Sequence, residues 1–186
     1  MDAAEPYASW SRRIAASDEA AFEALFRHLH PPLVRFAAGL VGSEAEADDL
    51  VQDAFLRIWT RREQLDPQRS LRALLYRSVR NLAYNAIRDR TTHAEKHTDM
   101  MPPPALPMPD AATEAASLDE RLRRWMAELP DRQCEALTLS RFDGLSHDEI
   151  AAAMEISART VNNHLVAALK TLRTRILTYE PGYLDH

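Results

Sequence analysis

The chain has 186 residues, a net charge of −5 and a hydrophobic fraction of 46%, enough for one ordinary domain or two small ones with real cores, which excludes a disordered chain. Four glycines among runs of Ala, Leu, Arg and Glu, with no sustained alternation of apolar and β-branched residues, point to an all-α fold. No segment reaches the ~20 apolar residues needed to span a bilayer, and Asp2, Glu5 and Asp18 interrupt any leader-like run, so a cytoplasmic protein without membrane insertion is expected.

Residues 1–17 are expected to be an N-terminal tail. Helices are then predicted from Asp18 to about Leu29, from Pro32 to about Val41, from Ser43 to about Arg62 and from Leu71 to about Arg90. Gly42 ends the second of these, and Ser43 with Glu46 has the spacing of a capping box. In the third, Ala47, Leu50, Val51, Ala54, Phe55, Ile58 and Trp59 share one face, which leaves Asp48, Asp49, Gln52 and Asp53 outside.

Five prolines (Pro102, Pro103, Pro104, Pro107 and Pro109) rule out a continuous helix in the stretch that follows. Residues 93–116 therefore read as a flexible Pro-rich linker between domains at 18–92 and 117–180, with a short tail at 181–186. In the second domain, Ser117 with Glu120 and Ser146 with Glu149 are two further capping boxes, and Leu129 followed by Pro130 separates two helices. Cys134, in CEALTL, reads as a small buried hydrophobe, and one cysteine cannot build an internal disulfide framework. Glu155, Ile156 and Ser157 read as a tight turn, and Val161, Leu165, Ala168, Leu169 and Leu172 supply the buried stripe of the helix that Ser157 opens. The two helices about this turn make a helix-turn-helix.

The acidic total hides a segregated charge. Ser43 to Asp53 carries five acidic residues and no basic one; Arg57 to Arg90 carries nine arginines against Glu63, Asp66 and Asp89; Arg159 to Arg175 carries four basic residues and no acidic one. Such blocks create local fields that the net charge conceals, although solvated helix faces produce milder versions. SARTVNNHL, residues 157–165, is poor in helix formers. In a helix-turn-helix these side chains lie against base edges, where Arg pairs with guanine and Asn with adenine, while Lys170, Arg173 and Arg175 suit phosphates. An ordinary polar helix face would show the same residue types.

The two halves together resemble the bacterial RNA polymerase sigma factors of the extracytoplasmic-function (ECF) group of the sigma-70 family. EAEADDLVQDAFLRIW (44–59) is similar to that family's polymerase-binding helix, LRALLYRSVRNLAYNAIRDR (71–90) to its promoter-melting helix, and residues 128–173 to its promoter-reading domain. The resemblance implies that Asp49, Gln52 and Asp53 dock on the clamp helices of the polymerase's largest subunit. It further implies that Arg69, Tyr76, Arg77, Arg80, Asn81, Asn85 and Arg88 meet the minus-ten element as single-stranded DNA, with the loop Leu65 to Ser70 as a pocket rim; Tyr76 fits the core equally well. Arg159, Thr160, Asn162, Asn163, His164, Lys170 and Arg173 are the implied readers of the duplex minus-thirty-five element. The linker would thread the polymerase channels, the second domain would meet the flap, and an anti-sigma factor is an expected partner. Two departures stand out: Glu155 occupies a turn where the family usually has Gly, and Asn162 and Asn163 stand where Lys or Ser is commoner.

A response regulator would need a phosphorylatable Asp at a strand end, and the N-terminal half shows no strands. His93, Glu95 and His97 in HAEKH superficially suggest a zinc-protease helix, but Ala94 follows the first His where Glu is required. The chain is thus expected to be a non-enzymatic, DNA-binding sigma factor without metal or cofactor.

Overall fold

The computed structural model describes residues 5–96 and 118–179, which form α-helices and one 3-10 turn, with no strand among the described residues. The helices are α1 (Glu5–Ala15), α2 (Glu19–Val41), α3 (Glu44–Thr60), α4 (Leu71–Lys96), α5 (Leu118–Ala127), α6 (Asp131–Arg141), α7 (His147–Met154) and α8 (Ala158–Tyr179), with the 3-10 turn at Arg62–Gln64. The expected linker prolines, Ser117 and the C-terminal tail lie outside the described residues, and α4 continues to Lys96, past the position where the linker was expected to begin.

Helices α2, α3 and α4 pack on one another around Leu25, Leu33, Val51, Leu75 and Val79, all fully buried. Phe22, Phe26 and Phe55 extend this core as an aromatic ladder that ends at Trp59, whose ring lies 4.9 Å from that of Phe22. Burying side chains of this size, each contributing about 1.5–3 kcal/mol, is the main stabilising term.

Two expectations change here. The break between Leu29 and Pro32 does not occur: α2 is one helix that includes Pro31 and Pro32. Each proline removes one backbone donor, but Leu25, Leu29, Leu33, Phe36 and Ala37 stay in helical phase across them and are all buried, so packing carries the helix through. The expected N-terminal tail instead contains α1, whose Ile14 is fully buried and whose Tyr7 and Trp10 rings cluster with His28 of α2. Tyr7, Trp10 and Ile14 have the three-and-four spacing of an amphipathic helix.

The helix starts follow capping chemistry. Asp18 accepts from the Ala21 backbone N–H, and that bond with the Arg13 guanidinium holds its carboxyl below the ordinary range. Ser43 caps α3 through the Glu46 N–H, but the reciprocal half of the box is not made, because Glu46 instead pairs with Arg90 at 3.1 Å. The box of Ser146 and Glu149 is complete in both directions.

In the C-terminal half α6, α7 and α8 pack around Leu139, Ile150, Ala153, Met154 and Val161, and α5 docks on α8 through Trp125, whose ring stacks 5.6 Å from Tyr179. Cys134 is half-buried on α6, and burial pushes its thiol pKa up. Leu169 departs from the expected stripe: it is 40% exposed, while Val161, Leu165, Ala168 and Leu172 are buried.

The halves are not separate in space. Helix α4 packs against α7, so the promoter-melting helix of the sequence reading is covered on one side by the helix-turn-helix domain.

Candidate polymerase-docking and nucleic-acid faces

On α3, Val51, Ala54, Phe55 and Ile58 point into the core, which forces Asp49 and Gln52 outward and leaves Asp53 half-exposed. The ridge is organised by its own neighbours. Gln52 donates to Asp48 at 2.5 Å, Asp48 lies 3.1 Å from His30, and Asp53 accepts two bonds from Arg57 at 3.2 and 2.9 Å. Leu56, 63% exposed, continues the same ridge three residues beyond Asp53 and seven beyond Asp49. Sequence reading missed it; an apolar residue on the polar side of an otherwise consistent helical pattern was the available signal.

Helix α4 has two sides that differ in exposure. Asn81 and Asn85 line a groove of about 340 Å³ between α3 and α4, floored by Ile58, Leu65 and Leu82 and rimmed by Arg57 and Arg61. The slot thus has an apolar floor with amides and guanidiniums at its edge. Arg88 is exposed, 3.7 Å from Asp89. The loop before α4 is set by Asp66, which accepts from the Gln68 N–H, and by Ser70, which caps the helix through the Ala73 N–H. Arg69 projects from this loop over a cleft of about 620 Å³ whose far wall is Asp148, Glu149 and Ala152 of α7.

The adjoining side of α4 carries Arg72, Tyr76 and Arg80 and faces the second domain, with Arg77 exposed at its edge. Tyr76 is 1% exposed and packs on Phe36, and Arg80 is 5% exposed against Glu135 of α6. Tyr76 is therefore core and interface at once, and Arg80 is nearly buried. The other expected residues of this group, Arg69, Arg77, Asn81, Asn85 and Arg88, retain accessible surface.

Helix α8 is arranged differently. Val161, Leu165, Ala168 and Leu172 face inward, so the helical period turns Arg159, Asn162 and Asn163 fully outward at its N-terminus, with Thr160 and His164 at the flanks. Ser157 caps it through the Thr160 N–H and shares a 2.7 Å contact with the Thr160 hydroxyl. Lys170 and Arg173 are exposed further along, whereas Arg175, expected beside them, is tied to Glu128. In the turn, Glu155 adopts a left-handed conformation, φ 56° and ψ 44°, which a glycine adopts without strain. Among the described residues no group of His, Cys, Asp and Glu is placed to hold a metal ion, and no helix is long and apolar enough to cross a membrane.

Two short helical units in this order, an acidic ridge in the first and a helix-turn-helix in the second, define a transcription factor of the sigma type. The Sigma-70 region 2 family matches residues 25–92 and the Sigma-70, region 4 family matches residues 119–172. The chain is 32% identical to the ECF RNA polymerase sigma factor SigL of Mycobacterium tuberculosis over 86% of this chain and 90% of that one, and 30% identical to the ECF RNA polymerase sigma factor RpoE of Cereibacter sphaeroides over 84% and 86%. Its fold matches CnrH, solved in complex with the cytosolic domain of CnrY (TM-score 0.66, 21% identity, 92% and 97% of the two chains). It also matches the sigma factor RpoE of Bartonella quintana, solved with the anti-sigma factor NepR (TM-score 0.65, 23% identity, 89% and 98%). The chain belongs to the ECF group of the sigma-70 family, the factors that direct RNA polymerase core to promoters and initiate transcription.

Proposed function

We propose that Asp49, Gln52, Asp53 and Leu56 form the face that docks on the polymerase core, a ridge of acid around one exposed apolar contact that suits a basic partner helix. The groove between α3 and α4 takes the melted minus-ten strand, with Asn81 and Asn85 at the base and Arg69, Arg77 and Arg88 along the backbone. Arg159, Asn162 and Asn163 read the duplex minus-thirty-five element, Thr160 and His164 flank them, and Lys170 and Arg173 hold phosphates. The chain has no catalysis of its own; the polymerase supplies the chemistry. An anti-sigma factor is a further partner, as its structural neighbours have, and the cytoplasm is where these partners meet.

The observation that carries this reading is the exposure of Arg159, Asn162 and Asn163 together at the start of α8, above a continuous buried stripe. The test is transcription in vitro with core polymerase on a genomic library, followed by start-site mapping. Start sites that share two spaced upstream elements, and that vanish when the chain is omitted, are expected. Transcription that is independent of the chain overturns the reading.

A further inference from the structure

A contact between α2 and α3 runs directly into the acidic ridge. His30 follows Phe26 by one helical turn, and its ring stacks on that phenyl ring with centroids 4.5 Å apart. Phe26 is itself held by Phe55 of α3 at 4.8 Å. The imidazole is thus fixed from the core, with Nε2 3.1 Å from Oδ1 of Asp48 on α3. The other oxygen of Asp48, Oδ2, accepts from Nε2 of Gln52, one turn further along α3, at 2.5 Å. Phe26, His30, Asp48 and Gln52 therefore form one line of contacts from the core to the exposed ridge.

The chemistry of that line sets which end of the Gln52 amide meets solvent. A carboxylate only accepts hydrogen bonds, so both groups that meet Asp48 must be donors, Nε2–H of His30 and the NH2 of Gln52. With its nitrogen committed to Asp48, Gln52 turns its carbonyl oxygen outward on the exposed face that it shares with Asp49. An amide turned the other way would set a donor on an acidic ridge and meet a basic partner with like polarity. Stability alone does not account for the arrangement. His30 and Asp48 retain 22% and 41% of their side-chain surface, and a pair so exposed contributes little. Leu25, Val51 and Phe55 close the interface beneath without it.

We propose that His30 is a positioning residue for polymerase binding: through Asp48 it holds the Gln52 amide with its oxygen outward, as an acceptor for a cationic donor of the core enzyme. This role rests on the α3 ridge being the docking face. His30 acts through Asp48, at one remove from the partner. Its loss frees the carboxylate to swing and the amide to rotate, so the cost falls on core affinity rather than on the fold.

The test is equilibrium binding of the full chain to fluorescently labelled core polymerase, with the melting temperature of each free variant as the control for folding. His30→Ala is expected to weaken binding about three- to tenfold, the effect of one misdirected hydrogen bond. His30→Gln, whose amide nitrogen reaches about as far as Nε2, is expected to restore most of that affinity. Asp48→Asn keeps an acceptor for His30 but offers Gln52 a donor, which turns the amide round, and is expected to cost as much as His30→Ala. Gln52→Met removes the amide, and adding His30→Ala to it is expected to cost nothing further. Full additivity of those two losses overturns the positioning role, as does failure of His30→Gln to restore binding. Should His30→Ala lower the melting temperature, Asp48→Asn at its half-exposed site decides instead, and parental affinity there overturns the role. The double reversal Asp49→Arg with Asp53→Arg tests the ridge separately. Parental affinity in that variant overturns the docking face and the role of His30 with it, whereas weakened binding there beside parental affinity in His30→Ala and Asp48→Asn overturns the role of His30 alone.

Discussion

Helices α4 and α8 carry the same kinds of side chain, arginines and asparagines set on an apolar stripe, yet the fold treats them in opposite ways. On α8 the polar face is open: Arg159, Asn162 and Asn163 are exposed. On α4 Arg80 is buried and Arg72 is paired across the domain boundary, while Arg77, though paired with Glu155, and the side with Asn81 and Asn85 stay exposed. Residue type sets what a helix can bind, while its neighbours decide when. The polar face of α8 is open as the chain stands, whereas part of that of α4 lies against the second domain.

The comparison breaks most sharply at Arg80. Arg80→Ala takes the guanidinium from the buried Glu135, leaving it the Tyr84 hydroxyl and Arg132 at 4.0 Å, and is expected to cost the closed form about 3–5 kcal/mol, enough to separate the halves. Replacing both residues by Met is expected to leave closure nearly as strong as in the parent, because desolvation of the pair offsets most of its attraction. Chemical denaturation read by tryptophan fluorescence, with scattering for compactness, measures both.

The exposed ridge of α3 offers a face that, like α8, needs no uncovering. Asp49→Arg with Asp53→Arg is expected to weaken core binding by at least about 2 kcal/mol while the free chain keeps its melting temperature. Titration against labelled core polymerase at two salt concentrations tests this, and normal affinity contradicts the ridge assignment. On α8, Arg159→Ala, Asn162→Ala or Asn163→Ala is expected to cost about 1–3 kcal/mol and relax preference at one or two promoter positions. Arg173→Ala is expected to weaken all promoters about equally and flatten the salt dependence. Holoenzyme binding to promoters randomised in the upstream element separates the two behaviours.

The smallest expected effect belongs to Asp143. Burial pushes its carboxyl up to about 6, against the opposing pull of the Tyr76 hydroxyl and the Arg35 and Arg72 guanidiniums. In an open chain the same carboxyl is solvated, with a pKa near 3.9. The closed form therefore binds an extra proton between about pH 4 and 6, so its stability rises as pH falls through about 6 and is lost again as pH rises. Scattering at pH 5 and pH 8 is expected to show more of the closed form at pH 5, and Asp143→Asn is expected to remove the difference.

Much of this was legible from local chemistry. Ser43, Ser146 and Ser157 cap the helices expected of them, and the alternation of Val161, Leu165, Ala168 and Leu172 with Arg159, Asn162 and Asn163 gave the exposed face of α8 directly. The continuity of α2 was not, because Pro31 and Pro32 are strong local stop signals and only packing against α3 and α4 overrides them. Nor was the covered side of α4. Arg77 and Arg80 read as groups awaiting DNA, and their partners Glu155 and Glu135 lie at least 55 residues along the chain, beyond a segment whose composition fixes no orientation. Glu155 was visible as an odd residue in a turn; its partner was not.

The long sequence separation of the contacts between α4 and α6 has a consequence for synthesis. Helices α1 to α4 meet mainly their own neighbours in sequence, so this half can complete its core as it leaves the ribosome, when α6 and α7 are still unmade. At roughly 5–20 residues per second, the remaining half takes several seconds to follow. During that interval every nascent copy presents Arg72, Arg77 and Arg80 uncovered, and closure is the last event in the life of the new chain rather than a property it is born with.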